Sequence, residues 1–225
     1  MDPTTSHLGE ILSSLSRPAA YPHPVDGVRV VQTHVSVVFL AGPYAYKVKK
    51  PVHFDFLDAH LLARRREMCR QEVELNRRLS PHLYLGVVSI TRGAEGLVVG
   101  GSGEAVEYAV QMRRLPEERM MDRLLASGAL TREMVHQVAK VLVPFHASAD
   151  AGPSVAAFGT PEAVQVLWDE HFAQVAPLLG KTLSGLQNGQ LRAVVAAWAI
   201  RKRPLLEARV AGGRIRDGHG DLRTS

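Results

Sequence analysis

The sequence predicts an α+β protein in two parts, a small antiparallel sheet with one long helix up to residue 115, then helices over residues 116–225. Three observations carry this expectation. Short β-branched runs alternate with turn signals as far as Met112. A single helical period runs from about Ala59 to Leu79, and beyond Leu115-Pro116 almost every segment has helical spacing.

Leu8, Ile11, Leu12 and Leu15 are spaced as one face of a short helix, which Pro18, Pro22 and Pro24 end. Val28–Val31, Ser36–Leu40 and Ala45–Lys50 read as strands, the last two as a hairpin across Ala41-Gly42-Pro43. In the long helix Leu61, Leu62, Met68, Glu72, Leu75 and Leu79 are placed near one face, with Arg64-Arg65-Arg66 and Arg77-Arg78 largely on others. Ser80-Pro81 closes it. Tyr84–Thr91, Leu97–Val99 and Val106–Met112 read as further strands.

The second part begins with a helix near Met120–Ala126 and another over Thr131–Ala149, with Thr131 as N-cap. Thr160-Pro161-Glu162 opens a third, with proline at the first helical position. A fourth covers about Leu186–Val210, with Pro204 expected to bend its last turns and Gly212-Gly213 ending it. Arg214-Ile215-Arg216 looks strand-like. Trp168 and Trp198 are expected in a core.

Composition narrows the partners. A formal net charge of +5 and a pI near 9.6 favour anions such as nucleotides, although a solvated basic surface accounts for the charge as well. One cysteine, Cys69, leaves no internal disulfide and no multi-cysteine zinc site, and a small buried side chain is its expected role. The apolar runs are far short of the ~20 residues that a bilayer requires, and the start lacks an export signal. The expected location is cytoplasmic, with no membrane partner.

Four features carry chemistry, in order. In Ala45-Tyr46-Lys47-Val48-Lys49, residues two apart share a face, so Ala45 leaves room beside Lys47 while the lysine reaches for phosphates, with Lys49 next in line. Lysines of an edge strand that deters aggregation would look the same, and for the strand alone that reading is the commoner. Glu72 on the following helix is the carboxylate that would hold such a lysine, whereas Glu74 falls on another face. Met112 and Arg113 belong to a hinge, Gln111–Pro116, whose backbone would meet an adenine edge; a plain linker would look the same. Last comes Asp217-Gly218-His219-Gly220-Asp221-Leu222, where Asp221 in a tight loop, braced by His219, would deprotonate a hydroxyl.

His219-Gly220-Asp221-Leu222 resembles the catalytic loop of the aminoglycoside phosphotransferase-like kinases. The stretches Thr33–Leu40 and Ala45–Pro51, with Cys69, Glu72, Leu75–Leu79 and Tyr84–Val88, are similar to a bacterial subgroup in which the kinase-like region is often followed by a P-loop ATP-binding domain. The likeness spans roughly Val28 to Arg223. It implies a protein-kinase-like bilobal fold, with a β-rich N-lobe over residues 1–115 and an incomplete helical C-lobe over 116–225. It also implies ATP and Mg²⁺, transfer to a hydroxyl of a small molecule, Lys47 on the phosphates, Glu72 holding Lys47, Asp221 as base and His219 bracing the loop.

The family's metal-binding Asn would fall just past Ser225 and its Asp later, so the chain is expected to be truncated in the catalytic loop and inactive alone. A degenerate kinase fold that binds or regulates without catalysis is the alternative. The one glycine of Ala41-Gly42-Pro43 is a weak cover for phosphates. Gly180-Lys181-Thr182 mimics the end of a P-loop motif, but Val175 stands where its first glycine belongs. The basic clusters, Arg64–Arg66, Arg77-Arg78, Arg113-Arg114 and Arg201–Arg203, are not interleaved with aromatics, which argues against nucleic acid.

Overall fold

The computed structural model describes residues 3–54 and 57–222. It is an α+β chain in two compact units, one running from the N-terminus to Val138 and taking in Asp221, the other Ala139–Gly220.

The first unit is built on a six-stranded sheet. The strands are β1 (Val28–Gln32), β2 (Ser36–Ala41), β3 (Tyr44–Lys49), β6 (Tyr84–Gly93), β7 (Gly96–Val99) and β8 (Ala105–Arg113). Two short strands, β4 (His53–Phe54) and β5 (Leu57–Asp58), pair separately. The sheet order is β1-β2-β3-β8-β6-β7, with every pairing antiparallel. The hairpin read from the sequence is present: Ser36 faces Lys49 and Ala41 faces Tyr44. Its turn has Gly42 at φ 54, followed by a proline with fixed negative φ, the pattern of a two-residue hairpin loop opened by glycine. Leu97–Val99 likewise pairs back on β6 across Gly93–Gly96.

Alternation gives the two sheet faces different work. Val37, Phe39, Ala41, Tyr46, Val48 and Ala109 turn to one face and are buried with Ile11 and Leu15 of α1 (Pro3–Leu15). A strap after α1 completes this core. Tyr21 donates its hydroxyl to the Leu15 carbonyl at 2.6 Å, and His23 meets the Tyr46 hydroxyl at 2.9 Å. The other face is covered in part by α2 (Leu62–Arg77), whose Cys69 and Val73 pack with Val110 and, at the margin, Tyr84, Val87, Tyr108 and Met112.

The buried stripe of α2 is rotated from the sequence expectation. Arg65, Cys69 and Val73 are its buried residues, while Leu61 and Leu75 are 63% and 53% exposed. A period of 3.6 fixes which residues share a face but not which face meets the sheet, and buried ion pairs override hydropathy here. The unit continues through α3 (Met121–Ala126) into α4 (Arg132–Ser148), where the Thr131 hydroxyl accepts from Met134 N–H at 3.2 Å, as its N-cap position implied.

The second unit contains the end of α4, then α5 (Pro153–Ala156), α6 (Pro161–Val175) and α7 (Gly185–Ala211). Thr160 caps α6 by accepting from Ala163 N–H, and Ser184 with Gln187 forms a capping box on α7. Gly180, at φ 84, does not terminate α6 as its spacing suggests: the helix and its 3₁₀ turn end by Leu178, Leu179 is extended, and Gly180 opens a tight turn closed by its own N–H donating to the Leu183 carbonyl at 2.8 Å. Helices α6 and α7 are joined by Arg203, which bonds Glu162 at 2.6 Å, and by Arg192 over the Phe172 ring at 4.4 Å. Residues 214–216 are not a strand. Ile215 instead packs on Gly159, where no β-carbon would fit, and the Arg216 guanidinium donates to the Ala149 carbonyl at 3.0 Å. Trp168 is 40% exposed and Trp198 half-buried, so neither lies in a core. No helix among the described residues is long and apolar enough to cross a membrane.

Phe39 is fully buried in the first core. Phe39→Ala is expected to cost about 3–5 kcal/mol of unfolding free energy. Leu61→Ala, at the exposed residue just before α2, should stay within about 0.5 kcal/mol. Urea titrations of both variants, read at constant m, check the contrast.

Candidate functional site

Strand β3 lies between β2 and β8, so Lys47 and Lys49 stand on an interior strand and the edge-strand reading is wrong. Both point to the face that α2 covers in part, because Tyr46 and Val48 are committed to the opposite core. From α2, Glu72 reaches down between them. Lys47 Nζ donates to Glu72 Oε1 at 2.8 Å, and Lys49 Nζ donates to Oε2. The exposures of the three side chains differ: 29% for Lys47, 11% for Lys49 and 13% for Glu72.

Burial alone would push the Glu72 carboxyl up. The two ammonium groups outweigh it and hold the acid below the usual carboxylate range. The cluster therefore carries one net positive charge, with Lys47 as its more accessible end. Burial pushes the nearby Cys69 thiol up to about 11, so it is protonated at neutral pH and acts as a packing group.

Cross-strand pairing defines what surrounds Lys47. Directly opposite residues share a face. Val38 and Val110 flank Lys47, and Leu40 and Met112 flank Ala45 one pair along. Val110 and Met112 pack with α2, whereas Val38 and Leu40 are half-buried and belong to neither core cluster among the described residues. A small residue and two half-buried aliphatic side chains thus lie beside a partly exposed ammonium, a surface that suits a flat apolar ring joined to an anion.

The hinge residues occupy the end of this row. Met112 faces Ala45 and Arg113 faces Tyr44. The Arg113 N–H donates to the Leu83 carbonyl and the Arg114 N–H to the Pro43 carbonyl, both at 2.9 Å, so these two donors are already engaged. The Arg113 guanidinium bonds the His82 carbonyl at 3.2 Å. At the other end of β3, Lys50 Nζ donates to the Thr33 carbonyl at 2.7 Å, which places the β1–β2 turn, not Ala41-Gly42-Pro43, next to the lysines. His219 and Asp221 lie in the irregular segment after α7. Gly220 between them is at φ 76, and the Asp217 N–H is tied to the Asp150 carbonyl at 2.9 Å.

Arg65 and Glu107 were not singled out by sequence reasoning. Glu107 on β8 is fully buried, and Arg65 of α2 bonds its Oε2 through Nε at 2.8 Å and Nη2 at 2.7 Å. Arg65 also donates to the Ala59 and His60 carbonyls, and His7 of α1 stands 3.3 Å from the same carboxylate oxygen. Arg65 and Glu72 are two helical turns apart, so the pair clamps α2 above and below Cys69 and aims Glu72 at β3. Other arginines of the basic clusters are engaged too: Arg66 lies over the Tyr108 ring, and Arg77 donates to the Tyr84 and Leu85 carbonyls.

The chain is similar to uncharacterized proteins of Mycobacterium bovis and of two strains of Mycobacterium tuberculosis, each 32% identical over 203 residues. The alignment covers 89% of this chain and 39% of each relative, so the chain spans about two fifths of their length. No family model matches the sequence, and no solved structure matches it.

Removing Arg65 leaves Glu107 buried beside a single, partly exposed histidine. Arg65→Ala is expected to cost about 3–5 kcal/mol, while Arg65→Met combined with Glu107→Leu recovers most of it. Denaturant unfolding checks both. The lowered pKa of Glu72 has its own signature. Its contribution is complete above the unfolded carboxylate value of about 4.3 and is lost as pH falls through its lower folded value. Stability measured between pH 6 and 2 should therefore fall less steeply in Glu72→Gln than in the parent chain.

Proposed function

We propose that this chain is the nucleotide-binding part of a protein-kinase-like phosphotransferase, resembling the aminoglycoside phosphotransferases, that acts on a hydroxyl of a small molecule. The observation that carries the proposal is the Lys47–Glu72 pair: a lysine on the third strand of an antiparallel sheet, held by a carboxylate of the next long helix. Kinases use that pair to grip ATP phosphates. The sheet order, with the strand before the hinge beside the lysine strand, supports a β-rich N-lobe, and the helices after Met120 support a helical C-lobe.

On this reading Lys47 contacts the phosphates and the row Leu40, Ala45 and Met112 receives the adenine. The Arg113 backbone contributes through its carbonyl, since its N–H is taken. Asp221 accepts the proton of the attacking hydroxyl while its oxygen bonds to the terminal phosphorus and ADP leaves, and His219 braces the loop. Mg²⁺ would neutralise phosphate charge. No group of three or more His, Cys, Asp or Glu among the described residues could hold a metal, so the proposal gives the ion no ligand here. A P-loop ATP-binding domain as partner remains part of the proposal by resemblance. The internal engagement of Arg65, Arg66, Arg77 and Arg113 supports the expectation that nucleic acid is not the partner.

Titration calorimetry of the 225-residue chain with ATP tests the reading. The chain is expected to bind ATP, and Lys47→Ala to weaken binding at least about tenfold, as the loss of a charge-assisted bond requires. No binding by the parent chain, or equal binding by Lys47→Ala, sinks the nucleotide reading.

A further inference from the structure

Glu72 is held by two ammonium groups where one would neutralise it. Lys47 takes Oε1 and Lys49 takes Oε2, and Lys49 is the more buried of the two. Resting on the nucleotide reading above, we propose that Lys49 is a positioning residue that keeps Glu72 ionised and in place while Lys47 turns toward an anion.

The need for a second lysine follows from burial. A carboxylate as enclosed as Glu72 cannot lose its only cation without taking a proton or moving. With one lysine, each step toward a phosphate would weaken the bond that aims it. With two, Lys47 can be shared with the anion while Glu72 Oε2 remains bonded.

The surroundings separate the two roles. Lys49 ends β3 directly opposite Ser36, which is fully buried. The next residue is fastened twice to the β1–β2 turn, by Lys50 N–H to the Val35 carbonyl and by Lys50 Nζ to the Thr33 carbonyl. Lys49 therefore leaves a closed, tied part of the sheet. Lys47 leaves its middle, beside the half-buried Val38. The more exposed lysine faces outward to a ligand and the enclosed one serves the carboxylate.

Two measurements on the 225-residue chain test this. ATP titrations in buffers of different ionisation heat report proton uptake on binding. Lys49→Met is expected to bind at least about tenfold more weakly and to take up about one more proton per nucleotide than the parent chain, because Glu72 protonates when Lys47 leaves it. Lys49→Arg should restore both. Unchanged proton uptake in Lys49→Met, or failure of Lys49→Arg to rescue, overturns the proposal. The second measurement needs no nucleotide. The urea midpoint of Lys47→Met should stay close to that of the parent, since Lys49 still holds Glu72. Adding Lys49→Met should lower it, and adding Glu72→Gln to that pair should raise it again. If Lys47→Met alone is as weak as the double variant, Lys49 does not hold Glu72 and the inference fails. If the parent binds no ATP while the urea series behaves as expected, the nucleotide reading fails and the hold of Lys49 on Glu72 stands.

Discussion

Two carboxylates that have left water determine where α2 sits. Glu107 is completely enclosed and Glu72 nearly so, and an ionised carboxylate in such a place requires a cation at hydrogen-bonding distance. Arg65 meets the first and is itself satisfied by the Ala59 and His60 carbonyls. Lys47 and Lys49 meet the second. The apolar contacts beside these clamps, Cys69 and Val73 on Val110, are non-directional and tolerate sliding. The ionic contacts are directional and do not. Apolar burial favours contact between helix and sheet, and the paired charges select one rotation and one height for it.

The sheet divides its labour by parity. Even positions of β3 complete a core with α1 and the strap, and odd positions carry the charges and the small Ala45. A rigid, well-packed face stands directly behind a polar one, which is the support that a charged constellation requires to keep its geometry. The strap adds to it: Tyr21, His23 and Tyr46 lie within ring-contact distance, and Gln111 also donates to the Tyr46 hydroxyl.

What was legible in the sequence was local. The β2–β3 hairpin, the Thr131 and Thr160 ends of their helices, and the glycine at 212 follow from turn and cap chemistry within a few residues. Lys47 and Glu72 were legible because strand parity and helical period place them in order along the chain. The phase of α2 was not legible. Leu75 has the spacing of a core residue and Arg65 the look of a surface one, and only Glu107, 42 residues away, reverses them. Trp168 shows a related limit, since period marks an apolar stripe but does not say what covers it. Arg214–Arg216 alternates like a strand, yet it pairs with no strand among the described residues, and Ile215 spends its side chain on Gly159 instead.

The turn at Gly42-Pro43 has a bearing on how this sequence can vary. It is two residues long, and a β-carbon on Gly42 would come within 3.1 Å of the Pro24 carbonyl oxygen, besides meeting an unfavourable positive φ. Gaining or losing one residue there would shift β3 by one step and exchange its faces, sending Lys47 and Lys49 into the aromatic core and Tyr46 and Val48 toward Glu72. Insertions and deletions in this hairpin are therefore admissible only where a bulge or an even step restores the parity, and length drift among descendants of this chain should collect in other connections.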